Sequence, residues 1–428
     1  MSQLRDKEDS SFTKKLEILK LGIKKASFDD LQKRMTRNIN TLQSFTEMSI
    51  AAEPVKSRRR GRTPNFKLLR DCAKAIYSVI EASLRCSCAN PHIIGLRLDA
   101  LNTRAVCRIE DEDEDVILSK LNFRILLSYA QDANILQSAP WTFEEADIRS
   151  LTTPYPSAHP SPALQPVTMR KKGVRFSDVE DLSMKLTAIS LQADSLLTIE
   201  DLCKTIELHK MANTVCLGVL KDKITHRTHG LYPIRALVNE KHAWSTIVLD
   251  DILTGKLGNT KSRLRDYERR KLALALASSV LQLYQTPWLN DDLQTSEITF
   301  LQRPGVSPFQ SAFLTKPISA QAQSVSSAFN KMTMLIRNRT LFNLGILLIE
   351  LCLQQKVDPS DLMRIDELIM EVEIKFGSRY ESVVRRCIGC VFTYNSTDLS
   401  DERFSATVYT EVVSVLEDDV IDCSRDPF

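Results

Sequence analysis

The sequence predicts an α+β fold: a helical N-terminal region, a strand-rich segment, then a mainly helical C-terminal half. Three observations predict it. Apolar residues recur at helical spacing over residues 10–50, short β-branched or alternating runs fall between residues 84 and 237, and long apolar-striped segments follow Thr246.

In the first region Phe12, Leu16, Leu19 and Ile23 share one helical stripe, and Leu31, Met35, Ile39, Leu42 and Phe45 a second. Ser27 is placed to cap the second run, with Asp29 and Asp30 in its first turn, where the positive end of the helix dipole favours acids. This gives a helical region over 1–53. The stretch "EPVKSRRRGRTP", bounded by Pro54 and Pro64, is expected to be an exposed basic linker over 54–65. A further helix over 66–84 carries Leu69, Cys72, Ile76 and Ile80 on one face.

The strand signals are "LRCSCA", "HIIGLRLDAL", "AVCRI", "NFRILLSY", "VCLGVLKD" and "HGLYPIRAL", each bounded by turn residues. Six adjacent acids, Glu110 to Asp115, are expected in a solvated hairpin loop, because nothing in the pattern fixes their geometry for a metal. Residues 138–170 hold six prolines and many Ser and Thr, and most of this stretch is expected to be a disordered insertion. After Thr246 the expectation is mainly helical. Leu264–Tyr284 is strongly periodic, while "TLFNLGILLIELCLQQ" is apolar nearly all round and must be buried on every face. Leu341–Leu353 is the expected centre of the C-terminal half.

The 428 residues are 43% hydrophobic and 26% charged with a net charge of +3, a globular composition that argues against bulk nucleic-acid binding. The polar start "MSQLRDKEDSSFTKK" lacks a signal peptide's apolar core. No apolar run approaches the ~20 residues needed to cross a bilayer. Ten cysteines without a paired framework point to reduced thiols. Among the 12 glycines no two are separated by one residue, so neither G-x-G-x-x-G nor a G-x-x-x-x-G-K-[ST] phosphate cradle is present.

"RRKLALALASSVLQLY" running into "NDDLQTSEITFL", and "LFNLGILLIEL" with Gly345, Glu350 and Leu351, resemble the catalytic-loop helix, catalytic loop and central helix of the bilobal protein-kinase fold. The resemblance implies a kinase-like small lobe over 66–245, a hinge before "WSTIVLDDILTGKL", and a helical large lobe over 246–428. Leu293, Ile298 and Phe300 would be loop anchors, and Cys387 in "VVRRCIGC" a packed core thiol. More closely, "CSCANPH", "RFSD", "ASSVLQLYQTPWL", "RNRTLFNLGILLIEL" and "RYESVVRRCIGC" resemble a family of fungal proteins that joins a short helical N-terminal region to a degenerate kinase-like half. The N-terminal region is also similar, more weakly, to HeLo-type cell-death domains. That likeness implies a chain beginning after the apolar first helix of such domains.

By this resemblance Asp292 stands where a kinase accepts the substrate's proton. The preceding His and Arg are Asn290 and Asp291, the phosphate-neutralising Lys is Gln294, and the magnesium-binding Asn is Glu297, a carboxylate still able to hold a hard cation. "LQRPGVSPFQSAFLTKP" contains no acid to serve as D-F-G, and no A-P-E precedes Leu341. Only Lys120 and Lys221 stand, by residue type, for the nucleotide-binding lysine. Losing one preorganised electrostatic contact costs about 3–4 kcal/mol of barrier, and several are missing together. The expectation is therefore a pseudokinase, with no catalytic residues and no cofactor.

Cys86, Cys88 and His92 have the residue types of a zinc site, but zinc takes four ligands. Cys387 and Cys390 could complete it only by folding onto this segment, so core burial on one face of a strand is the expectation. His226 and His229 are expected on the surface of a hairpin turn. Trp288 is expected to plug the vacated nucleotide pocket. The functional expectation is a scaffold or signalling adaptor in fungal self/non-self or cell-death signalling. Its partners would be proteins, with no nucleic acid and no membrane contact. It would be cytoplasmic, with nuclear entry left open through the basic stretch 56–62. The rival readings are an atypical kinase using Asp292 and a membrane-targeting HeLo-type effector.

Overall fold

A computed structural model describes residues 32–40, 43, 63–86, 88, 91–98, 117–118, 121–129, 143–151, 197–209, 215–234, 244–256, 263–290, 293–307, 309–318 and 336–425. The chain divides into two units, Met1–Gly61 and Arg62–Phe428. In the first, residues 32–40 are helical. The rest of the expected N-terminal helices, the basic stretch 56–62 and the acidic run 110–115 lie outside the described residues.

The second unit opens with α1 (Phe66–Ser83), started by Asn65, whose side chain accepts a hydrogen bond from the Leu68 amide at 3.1 Å. The expected stripe holds: Leu69, Cys72, Ile76 and Ile80 are all buried. Strands β1 (His92–Arg97), β2 (Asn122–Tyr129), β3 (Phe143–Leu151), β4 (Gly218–Lys221) and β5 (Thr228–Pro233) follow, with α2 (Leu202–His209) ahead of β4. Then come β6 (Ser245–Val248), α3 (Leu249–Leu253), α4 (Asp266–Leu283), β7 (Ile298–Gln302) and β8 (Ala312–Ile318). The chain ends in α5 (Arg339–Leu353), α6 (Leu362–Phe376), α7 (Ser378–Gly389), α8 (Glu402–Val408), a π-helical turn at Tyr409–Val413 and α9 (Ser414–Arg425). No described helix is long and apolar enough to cross a membrane.

The fold is thus mixed helix and sheet. The eight strands among the described residues form a single antiparallel sheet in the order β4-β5-β3-β2-β1-β8-β7-β6. The sheet runs through the expected boundary at 245/246, because β1 pairs with β8 from His92↔Ile318 to Arg97↔Phe313. Pro317 is tolerated in this inner strand because the β7 pairing stops at Leu314, leaving the edge beside Pro317 without a ladder partner in β7. Alternation puts Ile94, Leu96, Ile125, Leu127, Ala146, Ile148, Phe300 and Leu314 into the same apolar cluster as α1, α4 and α5.

Four strand assignments correct the sequence reading. Phe143–Leu151, inside the expected disordered insertion, is the inner strand β3; the prolines from Pro154 onward lie outside the described residues. Glu144, Glu145 and Asp147 disguised it by reading as loop. In the structure Arg124 on β2 meets Asp147 at 2.8 Å, and Arg303 pairs with the fully buried Glu145. Burial alone would raise the Asp147 carboxyl, but hydrogen bonds from Arg124, Asn122 and Arg149 outweigh it and hold the group below its usual range. β6, β7 and β8 interrupt the half expected to be mainly helical. The described residues of "LRCSCA" are not a strand, since Leu84, Arg85, Cys86 and Cys88 follow α1 as irregular chain. "AVCRI" lies outside the described residues.

The helical expectations for the segments after Leu264 hold. α5 is buried along almost its whole length and packs on α4, α6 and α7. Arg269 of α4, itself buried, donates to the carbonyl oxygens of Leu351 and Cys352 at the end of α5, satisfying groups the helix leaves open. Gly345 lies where α5 meets α7: a Cβ there would come within 2.8 Å of the Ile388 side chain and 3.1 Å of its backbone nitrogen. Helix propensity alone would make Gly345→Ala stabilising by ~1 kcal/mol. The close approach reverses the sign. Urea unfolding of Gly345→Ala is expected to show a loss of about 1–3 kcal/mol.

Candidate functional site

The loop that the sequence singles out leaves the C-terminal end of α4. Gln285 takes a left-handed conformation, φ 58°, and the Thr286 amide and hydroxyl both donate to the Leu283 carbonyl, at 3.0 and 2.7 Å. α1 fixes this exit. Arg70 donates from Nε to the Leu281 carbonyl at 2.8 Å and from Nη1 to the Leu399 carbonyl at 2.9 Å. Trp288 is fully buried, donates from Nε1 to the Ala73 carbonyl at 2.9 Å and meets the Tyr77 ring edge-on at 5.1 Å. Its partners are therefore α1 residues, and its indole is a fixed piece of the core.

Beyond Trp288, Leu293, Ile298 and Phe300 are buried anchors, as expected. Asp291 and Asp292 lie outside the described residues. Glu297, at the position likened to a magnesium ligand, is already engaged. Lys316 of β8 places Nζ 2.5 Å from Oε1, Asn290 Nδ2 donates to the same oxygen at 3.1 Å, and the Gln294 amide donates to Oε2 at 3.4 Å. Thr315 donates to the Glu297 carbonyl at 3.0 Å. Lys316 is buried, so the pair sits where water screens it little. A divalent cation at Glu297 would have to displace an ammonium that the fold has built in. Lys221, named by type, is exposed at the end of β4, and Lys120 lies outside the described residues.

A second network ties the other side of the loop. Thr295 Oγ1 donates to Asp250 Oδ1 at 2.8 Å, and Lys356 Nζ lies 2.7 Å from Thr295 Oγ1, 3.3 Å from Asp250 and 3.1 Å from Glu350. The Thr295 hydrogen bond, helped by Lys356, holds the Asp250 carboxyl below its usual range. Burial pushes Glu350 up, against the Val357 amide and Lys356. Every described polar side chain of this loop named above is thus satisfied from within the fold.

A separate cluster forms where α1, β1 and α2 begin or end. Cys86 and Cys88 follow α1, His92 opens β1, and Cys203 stands in the first turn of α2. Their ligating atoms all lie within 4.8 Å of one another. Cys86 Sγ is 2.7 Å from His92 Nε2, and Cys88 Sγ is 3.6 Å from Cys203 Sγ. Burial pushes the Cys86 thiol up to about 12 and the His92 imidazole down, the opposite of an activated thiolate–imidazolium nucleophile. The fourth member is Cys203, and Cys387 and Cys390 are not part of the cluster. Cys387 is fully buried in α7, as the expectation of a core thiol required.

A family profile for a domain of unknown function, DUF7580, matches residues 65–423, from the cap of α1 into α9. The chain belongs to the DUF7580 family. No curated protein matches it. Among solved structures, a complex of Neurospora crassa PAN2 (WD40-CS1) with PAN3 (pseudokinase and C-term) is similar at 9% identity and a TM-score of 0.29. That match covers 83% of this chain and 70% of the other, and a likeness of that size carries no argument about this DUF7580 domain.

His229 corrects an expectation for the DUF7580 domain. It is buried in β5 with Nδ1 3.3 Å from Ser150 Oγ, and burial lowers its pKa; only His226 lies in the β4–β5 turn. Sequence reasoning missed Lys316 and Cys203. The signal for Lys316 was a lone lysine among apolar strand residues. Cys203, 115 positions from Cys88, gave none.

The Glu297–Lys316 pair can be measured directly. Lys316→Met should lower stability by about 1.5–3 kcal/mol, since it strands a carboxylate in a poorly solvated site. Adding Glu297→Gln should recover part of the loss, giving a coupling of roughly 1 kcal/mol or more in a double-mutant cycle by urea unfolding. Additive effects would show that the pair contributes nothing.

Proposed function

We propose that this chain is a kinase-like protein without phosphotransfer activity, a pseudokinase, that acts by binding other proteins as a scaffold or signalling adaptor. The single observation that carries the reading is the engagement of Glu297 by Lys316, Asn290 and the Gln294 amide, at the position likened to the magnesium ligand of a kinase loop. Phosphoryl transfer depends on positioned metal and cations offsetting charge on the phosphoryl oxygens. Here the carboxylate is neutralised from within, the β7–β8 segment supplies no acid, and no glycine-rich phosphate loop exists in the sequence. Support for the binding role comes from α6, where Met363, Met370 and Ile374 are 83%, 52% and 87% exposed. Their spacing of seven and four residues aligns them on one helical stripe, the form in which a helix presents an apolar face to a partner.

Thermal unfolding of the full chain with and without magnesium-ATP tests the first half of the reading. A ligand at 100 times its dissociation constant adds about 2.7 kcal/mol, a readily measured shift. The expected result is no shift, no incorporation of labelled phosphate, and the same behaviour for Asp292→Ala. A shift accompanied by phosphate incorporation, both abolished by Asp292→Ala, would instead establish the atypical kinase.

A further inference from the structure

We propose that Cys86, Cys88, His92 and Cys203 bind one zinc ion as a closed structural site. This inference stands independently of the pseudokinase reading, since no residue is shared with the loop.

Three thiolates and one imidazole are a standard donor set for structural zinc, which takes four ligands in a tetrahedron and leaves no open position. With Zn–S near 2.3 Å, the edge of that tetrahedron is about 3.8 Å. Cys88 Sγ and Cys203 Sγ stand 3.6 Å apart, close to that edge. Cys86 Sγ and His92 Nε2, at 2.7 Å, need to part by only about 1 Å to reach it. A disulfide fits less well: the 3.6 Å separation far exceeds the ~2.05 Å bond, and it would use two of four converging donors while leaving Cys86 and His92 unexplained.

The elements that carry the donors are fixed independently. His92 is the first ladder residue of β1, paired with Tyr129 on β2 and Ile318 on β8. Asp201 caps α2 by accepting from the Lys204 amide at 3.1 Å, and its carbonyl accepts from the Thr205 amide at 3.0 Å. Cys203 therefore sits in a defined first helical turn, where the dipole favours a thiolate. His92 and Cys203 are buried, while Cys86 and Cys88 are half-buried against the main core, leaving an entry path for the ion. Bound zinc would staple the exit of α1 to the start of β1 and to α2, closing a long loop and converting binding energy into folding energy.

The test uses the full chain, purified under reducing conditions without chelator. Elemental analysis should find about one zinc per chain. Cobalt(II) added to the zinc-stripped protein should give tetrahedral d–d bands and thiolate-to-metal charge transfer. Cys203→Ser should lose the stoichiometric zinc, whereas Cys423→Ser, outside the cluster, should keep it. Should Cys203→Ser fail to fold, His92→Cys remains informative: it should retain zinc and shift the cobalt spectrum to that of a four-thiolate site. Chelation should lower the unfolding temperature of the wild-type chain and leave that of a zinc-free variant unmoved. The proposal is overturned by wild-type protein without zinc that gives no cobalt spectrum, by zinc retained in folded Cys203→Ser, or by a Cys88–Cys203 disulfide in the reduced preparation.

Discussion

The pairing of β1 with β8 is the constraint on which the rest of this structure depends. Six Cα pairs join residues 92–97 to residues 313–318, and the Leu98 amide extends the ladder with a 2.8 Å hydrogen bond to the Ala312 carbonyl. Both chemically distinctive places hang from it. His92 at one end of β1 faces the cysteine cluster, and Lys316, opposite Ile94, reaches Glu297. A one-residue slip in this register would turn Lys316 to the other face of the sheet and leave Glu297 without its cation. The register is held by burial: Ile94, Leu96 and Leu314 all contribute to the main core.

That arrangement explains how the described polar groups of the loop after α4 are accommodated beside the core. Glu297 and Asp250 each carry charge beside a buried core, and each is compensated by a lysine from another element, Lys316 and Lys356. The loop is tied on one side to the sheet and on the other to the end of α5. α1 closes the third side through Arg70 and Trp288. The described donors and acceptors of this loop named above are spent on the protein's own fold.

What could be read from the sequence was whatever local periodicity encodes. α1 and α4 announced themselves by apolar stripes, α5 by being apolar nearly all round, and β2 by a short run of apolar and aromatic residues bounded by polar ones. β3 did not, because "FEEADIRSL" places three acids in a sheet interior that is tolerable only beside Arg124 of β2 and Arg303 just beyond the end of β7. β7 and β8 were hidden by their likeness to a kinase loop. Three of the four members of the candidate metal cluster were legible, as Cys86, Cys88 and His92 are neighbours in sequence. The completing Cys203 arrives only through tertiary folding, as does the Lys316 that engages Glu297. For β3, Lys316 and Cys203 the deciding partner was a long-range one that no window of sequence contains.

Native-state hydrogen exchange on the full chain measures the β1–β8 ladder most directly. The account predicts that the hydrogen-bonded amides of residues 94–98 and 314–316 exchange only through global unfolding, with equal protection and in the slowest class of the protein. Exchange of the β8 amides through a separate, lower-energy opening while β1 stays protected would contradict it.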